Sequence, residues 1–510
     1  MTINARKALL ATLSVTAVAA ALPANLACTA KDTHAPVSQH TGATAPVAPR
    51  MKWAPCSQQG ALRGQECSTL KVPLDYRHPD GPQASLAVSR LRSQQPDERR
   101  GTLLLIPGGP GDSGVALLSG MGTDLRKEMA GAYDIVSLDP RGMGGSTKAR
   151  CGLPESARQQ MALNAWPAPD GRIDENIARA KEAAAACARN GGSVLRSFST
   201  ANEVRDIDRF RQALGERRIS ALGISYGTYV GAVYAQKYPQ RTDRWVLDSS
   251  VDPTRSHPGW LANAAPGVDD RFDDFAAWAT DPAREEAGLR LGRKAEGIRP
   301  SFLAMAERLD KHPRKSTVDG MPLTGNILRQ VLWKALYDNS TFPQVAKLMR
   351  AVQQPGGTPE LPPQFTRAIP DEAVASIAGP MCNDARWPHT AAAYRRAVEA
   401  DRSRYPLTAG MPRNVLLCAF WKNRPATKLT KITGDGPKNV LMIQNRSDPS
   451  TPYFGALKMR KALGDRARLV TVEAGGHGAY LSNGNACGDR TVTEFLTKGS
   501  RPTRDIRCAG

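Results

Sequence analysis

The sequence predicts an α/β fold: a mostly parallel central sheet covered by helices on both faces, with a block of helices inserted into it. Three observations predict this. Short, mainly apolar runs such as Gly101–Pro107, Asp134–Leu138 and Ile219–Ile224 alternate with stretches of helical period, as strands buried on both faces do. Turn-forming segments follow these runs, as at the carboxyl edge of such a sheet. The strand pattern stops near residue 252, gives way to helical spacing, and resumes near residue 437.

In chain order, Arg6 and Lys7 precede an apolar run from Ala8 to Leu22. That run is short for a membrane span, and with its basic start it reads as a secretory signal peptide. Asn25-Leu26-Ala27-Cys28 resembles a bacterial lipobox, with its Leu two residues before the Cys where three is usual. Ordinary cleavage between Ala21 and Ala30 is the competing reading. Residues 29–50, rich in Ala, Thr, Pro and His, form a tether or pro-segment with no core-forming pattern. The expectation is therefore a signal peptide over 1–28 and an exported chain, extracellular or lipid-anchored at Cys28 to the outer face of the membrane.

Residues 51–252 read as the first part of the core. Ala84–Arg92, Gly101–Pro107 and Asp134–Leu138 are strands, and Asp139-Pro140-Arg141-Gly142 follows the third. A helix over Ala201–Leu214 leads to the strand Ile219–Ile224, then a helix over Tyr229–Tyr238 stopped by Pro239, then the strand Arg244–Asp248. Residues 253–436 read as a mostly helical lid, with apolar spacing in Phe302–Leu309 and Ile327–Leu336 and a proline-rich joint over Pro355–Pro363. Residues 437–510 close the core: strand Asn439–Gln444, helix Phe454–Leu463, a last strand Arg468–Glu473 and a helix over Thr491–Leu496.

Composition narrows the function. The 510 residues carry 69 Lys+Arg against 48 Asp+Glu, a net charge of +21. No zinc-finger spacing, aromatic-basic motif or dense basic run accompanies that charge, so it reads as a surface property and not as a nucleic-acid site. The nine cysteines divide into Cys28 and four neighbouring pairs: Cys56 and Cys67, Cys151 and Cys187, Cys382 and Cys418, Cys487 and Cys508. In an exported chain these are expected to be oxidised. Eight cysteines allow 105 connectivities, and neighbour pairing is the simplest because each pair closes a short loop. No metal site is indicated.

Gly223-Ile224-Ser225-Tyr226-Gly227 lies between a strand and a helix. This is Gly-x-Ser-x-Gly in the context that gives it meaning: a tight turn that exposes a serine hydroxyl at the sheet edge. The hydroxyl needs a base and an orienting acid. Among seven histidines, His477 in Gly475-Gly476-His477-Gly478 follows the last predicted strand, and Asp448 follows the strand before it. Asp252 is the runner-up acid. Pro107-Gly108-Gly109-Pro110-Gly111 is the expected oxyanion loop, with the N–H groups of Gly109 and Tyr226 as donors. No Lys-Ser/Thr follows it, which sets aside a phosphate loop.

Together these motifs resemble the exported tripeptidyl aminopeptidases of actinobacteria, serine peptidases of the α/β-hydrolase fold related to prolyl aminopeptidases. The resemblance runs from about Trp53 to Cys508 and includes Thr200-Ala201-Asn202 with Arg205-Asp206, Cys382-Asn383-Asp384, and Cys418-Ala419-Phe420-Trp421. One departure concerns Pro107, where prolyl aminopeptidases usually carry His. The resemblance implies acyl transfer to water without cofactor, on peptides or proteins with a free N-terminus. Such a substrate calls for a carboxylate facing its ammonium. Asp384 is the candidate, pinned near the core by a Cys382–Cys418 bridge, with Glu372 and Asp338 as alternatives. A carboxylesterase or amidase on the same triad is the second reading, and a non-catalytic binding protein the third.

Overall fold

The computed structural model describes residues 51–510 apart from 162, 319–320, 355, 357, 363–367, 424 and 426–427. The signal peptide, Cys28 and the tether lie outside the described residues.

Among the described residues ten strands form one sheet: β1 (Ala54–Pro55), β2 (Gln65–Pro73), β3 (Gln83–Leu91), β4 (Gly101–Ile106), β5 (Tyr133–Leu138), β6 (Ile219–Ile224), β7 (Thr242–Asp248), β8 (Val440–Ser447), β9 (Ala467–Gly475) and β10 (Ile506–Cys508). Their spatial order is β1-β2-β3-β5-β4-β6-β7-β8-β9-β10. The pairings from β5 through β10 are all parallel, and β1, β2 and β3 add antiparallel pairs at one edge. The inner strands are apolar throughout because both their faces are covered. Leu104, Ile106, Val136 and Leu138 point to one layer, with helices Thr200–Ala213, Tyr226–Lys237 and Tyr453–Leu463. Leu103, Leu105, Ile135 and Leu222 point to the other, with helices Gly114–Glu128 and Ala486–Lys498.

The sequence reading ended the sheet at Arg468–Glu473, and the structure adds β10 beyond it. Three residues flanked by polar text carry no strand period. They are placed by pairing along β9 and by the Cys487–Cys508 disulfide. The other bridges join Cys56 to Cys67, Cys151 to Cys187 and Cys382 to Cys418, so neighbours pair throughout.

Between β7 and β8 the described residues include six α-helices, from His257–Thr280 to Ala391–Arg404. Four of them build a core of their own around Phe272, Phe275, Phe302, Phe342 and Leu332. A second stretch joins this cap. Helix Asp174–Asn190, from the segment between β5 and β6, presents Ile177 and Ala180 to Tyr394 and Val398. Residues 51–252 are therefore not all sheet and its cover.

The Asp139-Pro140-Arg141-Gly142 motif is a structural staple under this arrangement. Arg141 donates from Nε and Nη2 to Asp206 at 2.7 and 2.8 Å, and to the carbonyls of Pro73 and Leu74. Asp139 accepts from Ser113 Oγ and the Val115 and Gly145 amides, fixing the loop after β4.

Candidate active site

Ser225 occupies the turn between β6 and helix Tyr226–Lys237, with φ 58° and ψ −123°. Its flanking glycines answer a steric demand. A Cβ on Gly223 would lie 2.6 Å from the Gly227 carbonyl oxygen, and one on Gly227 would lie 2.4 Å from the Ile106 oxygen and 2.7 Å from that of Pro107. Glycine at 227 thus lets the loop after β4 rest on the first turn of the serine's helix. Tyr226 is the first residue of that helix, so its N–H has no intrahelical partner. The Gly109 N–H has no hydrogen-bond partner among the described residues. Among the described residues both expected oxyanion donors are thus without a partner.

Asp448 and His477 follow β8 and β9, which pair with Ser447 opposite Gly475. Register alone makes their loops neighbours. His477 Nδ1 lies 3.0 Å from Asp448 Oδ2 and 3.1 Å from Oδ1. Asp448 is buried and also accepts from the Ser450 and Thr451 amides and Thr451 Oγ1, each at 2.8 Å. Burial raises its carboxyl, and the positive His477 with these donors outweighs that, holding it below the ordinary value. Burial works against charge on His477, yet the carboxylates of Asp448, Asp248 and Asp112 prevail, so its pKa lies above the usual histidine value.

Two residues to which the sequence assigns no role in the site hold this geometry. Asp248 ends β7, between the strands that carry Ser225 and Asp448. Its carbonyl accepts the Ser225 N–H at 3.0 Å. Its carboxylate accepts the Ala479 amide at 3.0 Å and that of Tyr480 at 2.9 Å, drawing the histidine loop across β7 toward the serine. Tyr337, from the cap, accepts the His477 N–H on its carbonyl at 2.9 Å and sets its ring 5.2 Å from the imidazole. Its hydroxyl bonds Ser450 Oγ at 3.1 Å. An Asp closing an apolar strand was the available signal for Asp248; Tyr337 had none.

The remaining candidates are placed elsewhere. Asp252 accepts from Lys458 Nζ at 2.8 Å and caps its own turn through Thr254, which leaves Asp448 as the acid on the histidine. Asp384 is buried, and its Oδ2 accepts from the Thr200 N–H at 2.8 Å and Thr200 Oγ1 at 2.6 Å. Thr200 Oγ1 in turn bonds the Tyr226 hydroxyl at 2.7 Å. Burial pushes the Asp384 carboxyl up to about 6 against those donors. Asp384 thus closes the positive end of helix Thr200–Ala213, behind the serine turn. Glu372 lies 3.9 Å from Arg150, and Asp338 caps a 3₁₀ turn through the Ser340 amide.

The family described as TAP-like protein matches residues 387–508. A tripeptidyl aminopeptidase of Streptomyces coelicolor is 30% identical over 90% of this chain and 85% of its own length. The serine protease Hip1 of Mycobacterium tuberculosis is 26% identical over 90% of this chain and 91% of its own. A Mycobacterium tuberculosis protein named carboxylesterase B is 29% identical over 94% and 93%. The chain is a serine hydrolase of the α/β-hydrolase fold and belongs to the tripeptidyl aminopeptidase family.

Proposed function

We propose that this protein is an exported serine aminopeptidase that hydrolyses peptides near a free N-terminus and releases tripeptides. Ser225 attacks the scissile carbonyl, His477 takes its proton and delivers it to the leaving amine, and Asp448 holds the imidazole tautomer. The Gly109 and Tyr226 amides receive the oxyanion, and removal of one such donor typically costs about 10²–10³ in kcat. Water then enters by the same base to release the acyl product. The observation that carries the reading is the His477–Asp448 pair, drawn by Asp248 toward a serine held in a strained turn. The similarity to a tripeptidyl aminopeptidase over nine-tenths of the chain supports the substrate class. Four disulfides suit an oxidising compartment outside the cell, and intact mass of the mature protein from membranes tests lipid on Cys28.

Mass-spectrometric digestion of a peptide library with free and acetylated N-termini tests the activity. Cleavage after the third residue of free peptides only is the expected result, and indifference to acetylation overturns the reading. The similarity to carboxylesterase B favours a second one. On that reading, short acyl esters turn over while every peptide in the library stays intact.

A further inference from the structure

An aminopeptidase needs a group that tells a free ammonium from a blocked one, and Asp384 is engaged by Thr200 behind the serine. The loop beside Ser225 carries another carboxylate. Asp112 ends the oxyanion loop, just before helix Gly114–Glu128. A Cβ on Gly108 would lie 3.1 Å from Ser225 Cβ and 3.2 Å from Asp112 Oδ2, so the two side chains flank one point. Asp112 is solvent-exposed and, among the described residues, has no hydrogen-bond or ion-pair partner on its side chain. The other acids at this sheet edge, Asp448, Asp248, Asp139 and Asp252, are buried with their carboxylates engaged. Loss of water around the Asp112 carboxyl raises it above its ordinary value, and the charges of His477 and Lys334 oppose that rise.

Lys334 comes from the cap helix Gly325–Ala335, exposed, with its ammonium 5.7 Å from the Tyr337 ring. It lies within electrostatic reach of Asp112 without forming an ion pair. Ile377, 38% exposed, walls the same loop, since a Cβ on Gly111 would meet its Cγ1 at 2.5 Å.

We propose that Asp112 is the specificity residue that binds the substrate's N-terminal ammonium, with Lys334 of the cap competing for the same carboxylate. This rests on the aminopeptidase reading. The closeness of Asp112 to Ser225 suits an ammonium within about 10 Å of the scissile carbonyl, the reach of three extended residues.

The test compares Ala-Ala-Ala-p-nitroanilide with its N-acetyl form on wild type, Asp112→Asn, Asp112→Glu and Lys334→Met. Asp112→Asn is expected to lower kcat/KM on the free-amino substrate about 10- to 100-fold more than on the acetylated one, chiefly through KM. Asp112→Glu should recover part of that discrimination. Lys334→Met should lower KM for the free-amino substrate about two- to fivefold. Wild-type discrimination that persists unchanged in Asp112→Asn overturns the inference alone, as does a KM that rises in both the Asp112 and Lys334 variants. A wild-type enzyme indifferent to acetylation overturns the aminopeptidase reading and this inference with it.

Discussion

His477 Nδ1 lies 3.0 Å from Asp448 Oδ2, while Asp448 Oδ1 takes two backbone N–H groups, from Ser450 and Thr451. The two carboxylate oxygens therefore have different duties. In Asp448→Asn the backbone donors keep the amide oxygen at the Oδ1 position and turn the NH₂ toward His477. Nδ1 must then accept, the proton moves to Nε2, and the imidazole cannot act as base. The expected result is a loss of about 10³–10⁴ in kcat with the fold intact, measured by ester turnover and circular dichroism. A loss below tenfold would show that Asp448 is not the orienting acid.

The proton affinity of His477 gives a second expectation. Its folded pKa lies above 6.5 because three carboxylates outweigh its burial. Catalysis needs the neutral ring, so kcat/KM on an uncharged ester should rise with pH through a midpoint above 6.5. Asp112→Asn removes one of those carboxylates and should move the midpoint down. The stability linkage runs the opposite way. A raised folded pKa contributes stability that is complete below 6.5 and lost as pH rises through the folded value. The His477→Ala variant should therefore lose less melting temperature than wild type across that window.

What could be read from the sequence follows from where the information lies. Strands β4 and β6 show as apolar runs because both faces are covered, and the loops holding Ser225, Asp448 and His477 sit directly at strand ends. β2 stayed hidden because Gln65–Pro73 is an outer strand whose burial is mixed. Helix Asp174–Asn190 is missed by the sequence reading, and its partner in the cap, Tyr394–Val398, lies over two hundred residues away in sequence. Asp384 was proposed for the ammonium because its own sequence neighbourhood suggested a pinned acid. Thr200, which engages it, is distant in the chain. Asp112 and Tyr337 acquire meaning only once loop and cap meet.

Glu203 provides a stability test close to the oxyanion donor. It is buried, and burial pushes its carboxyl up to about 8 against the hydrogen bond from the Tyr226 hydroxyl, with Asp206 and Asp384 adding to the rise. The folded state keeps this proton up to about pH 8, whereas an unfolded glutamate releases it near its ordinary value of 4.5. Its contribution is therefore complete below 4.5 and lost as pH rises through about 8. Glu203→Gln stays neutral and should unfold at higher urea than wild type at pH 9, by roughly 2–4 kcal/mol relative to their difference at pH 5. Parallel pH curves for the two proteins would contradict a protonated Glu203.

The backbone at Ser225 separates function from stability. Its φ of 58° with ψ of −123° is a region that side chains with a Cβ avoid, at a cost of about 1–3 kcal/mol. The surroundings impose it: the Ser225 amide is held by the Asp248 carbonyl at 3.0 Å, and Thr228 Oγ1 donates to the Ser225 carbonyl at 2.6 Å. Ser225→Ala removes the hydroxyl and keeps the strain, so turnover should fall about a thousandfold or more with little change in the unfolding midpoint. Ser225→Gly removes both. Glycine takes this conformation freely but loses about 0.5–1 kcal/mol more backbone entropy on folding than alanine does. The glycine variant should therefore be equally inactive yet about 1 kcal/mol more stable than the alanine variant in urea unfolding. A glycine variant about 0.5–1 kcal/mol less stable than the alanine variant would mean that the turn is set without strain, and the serine's exposure would then need another cause.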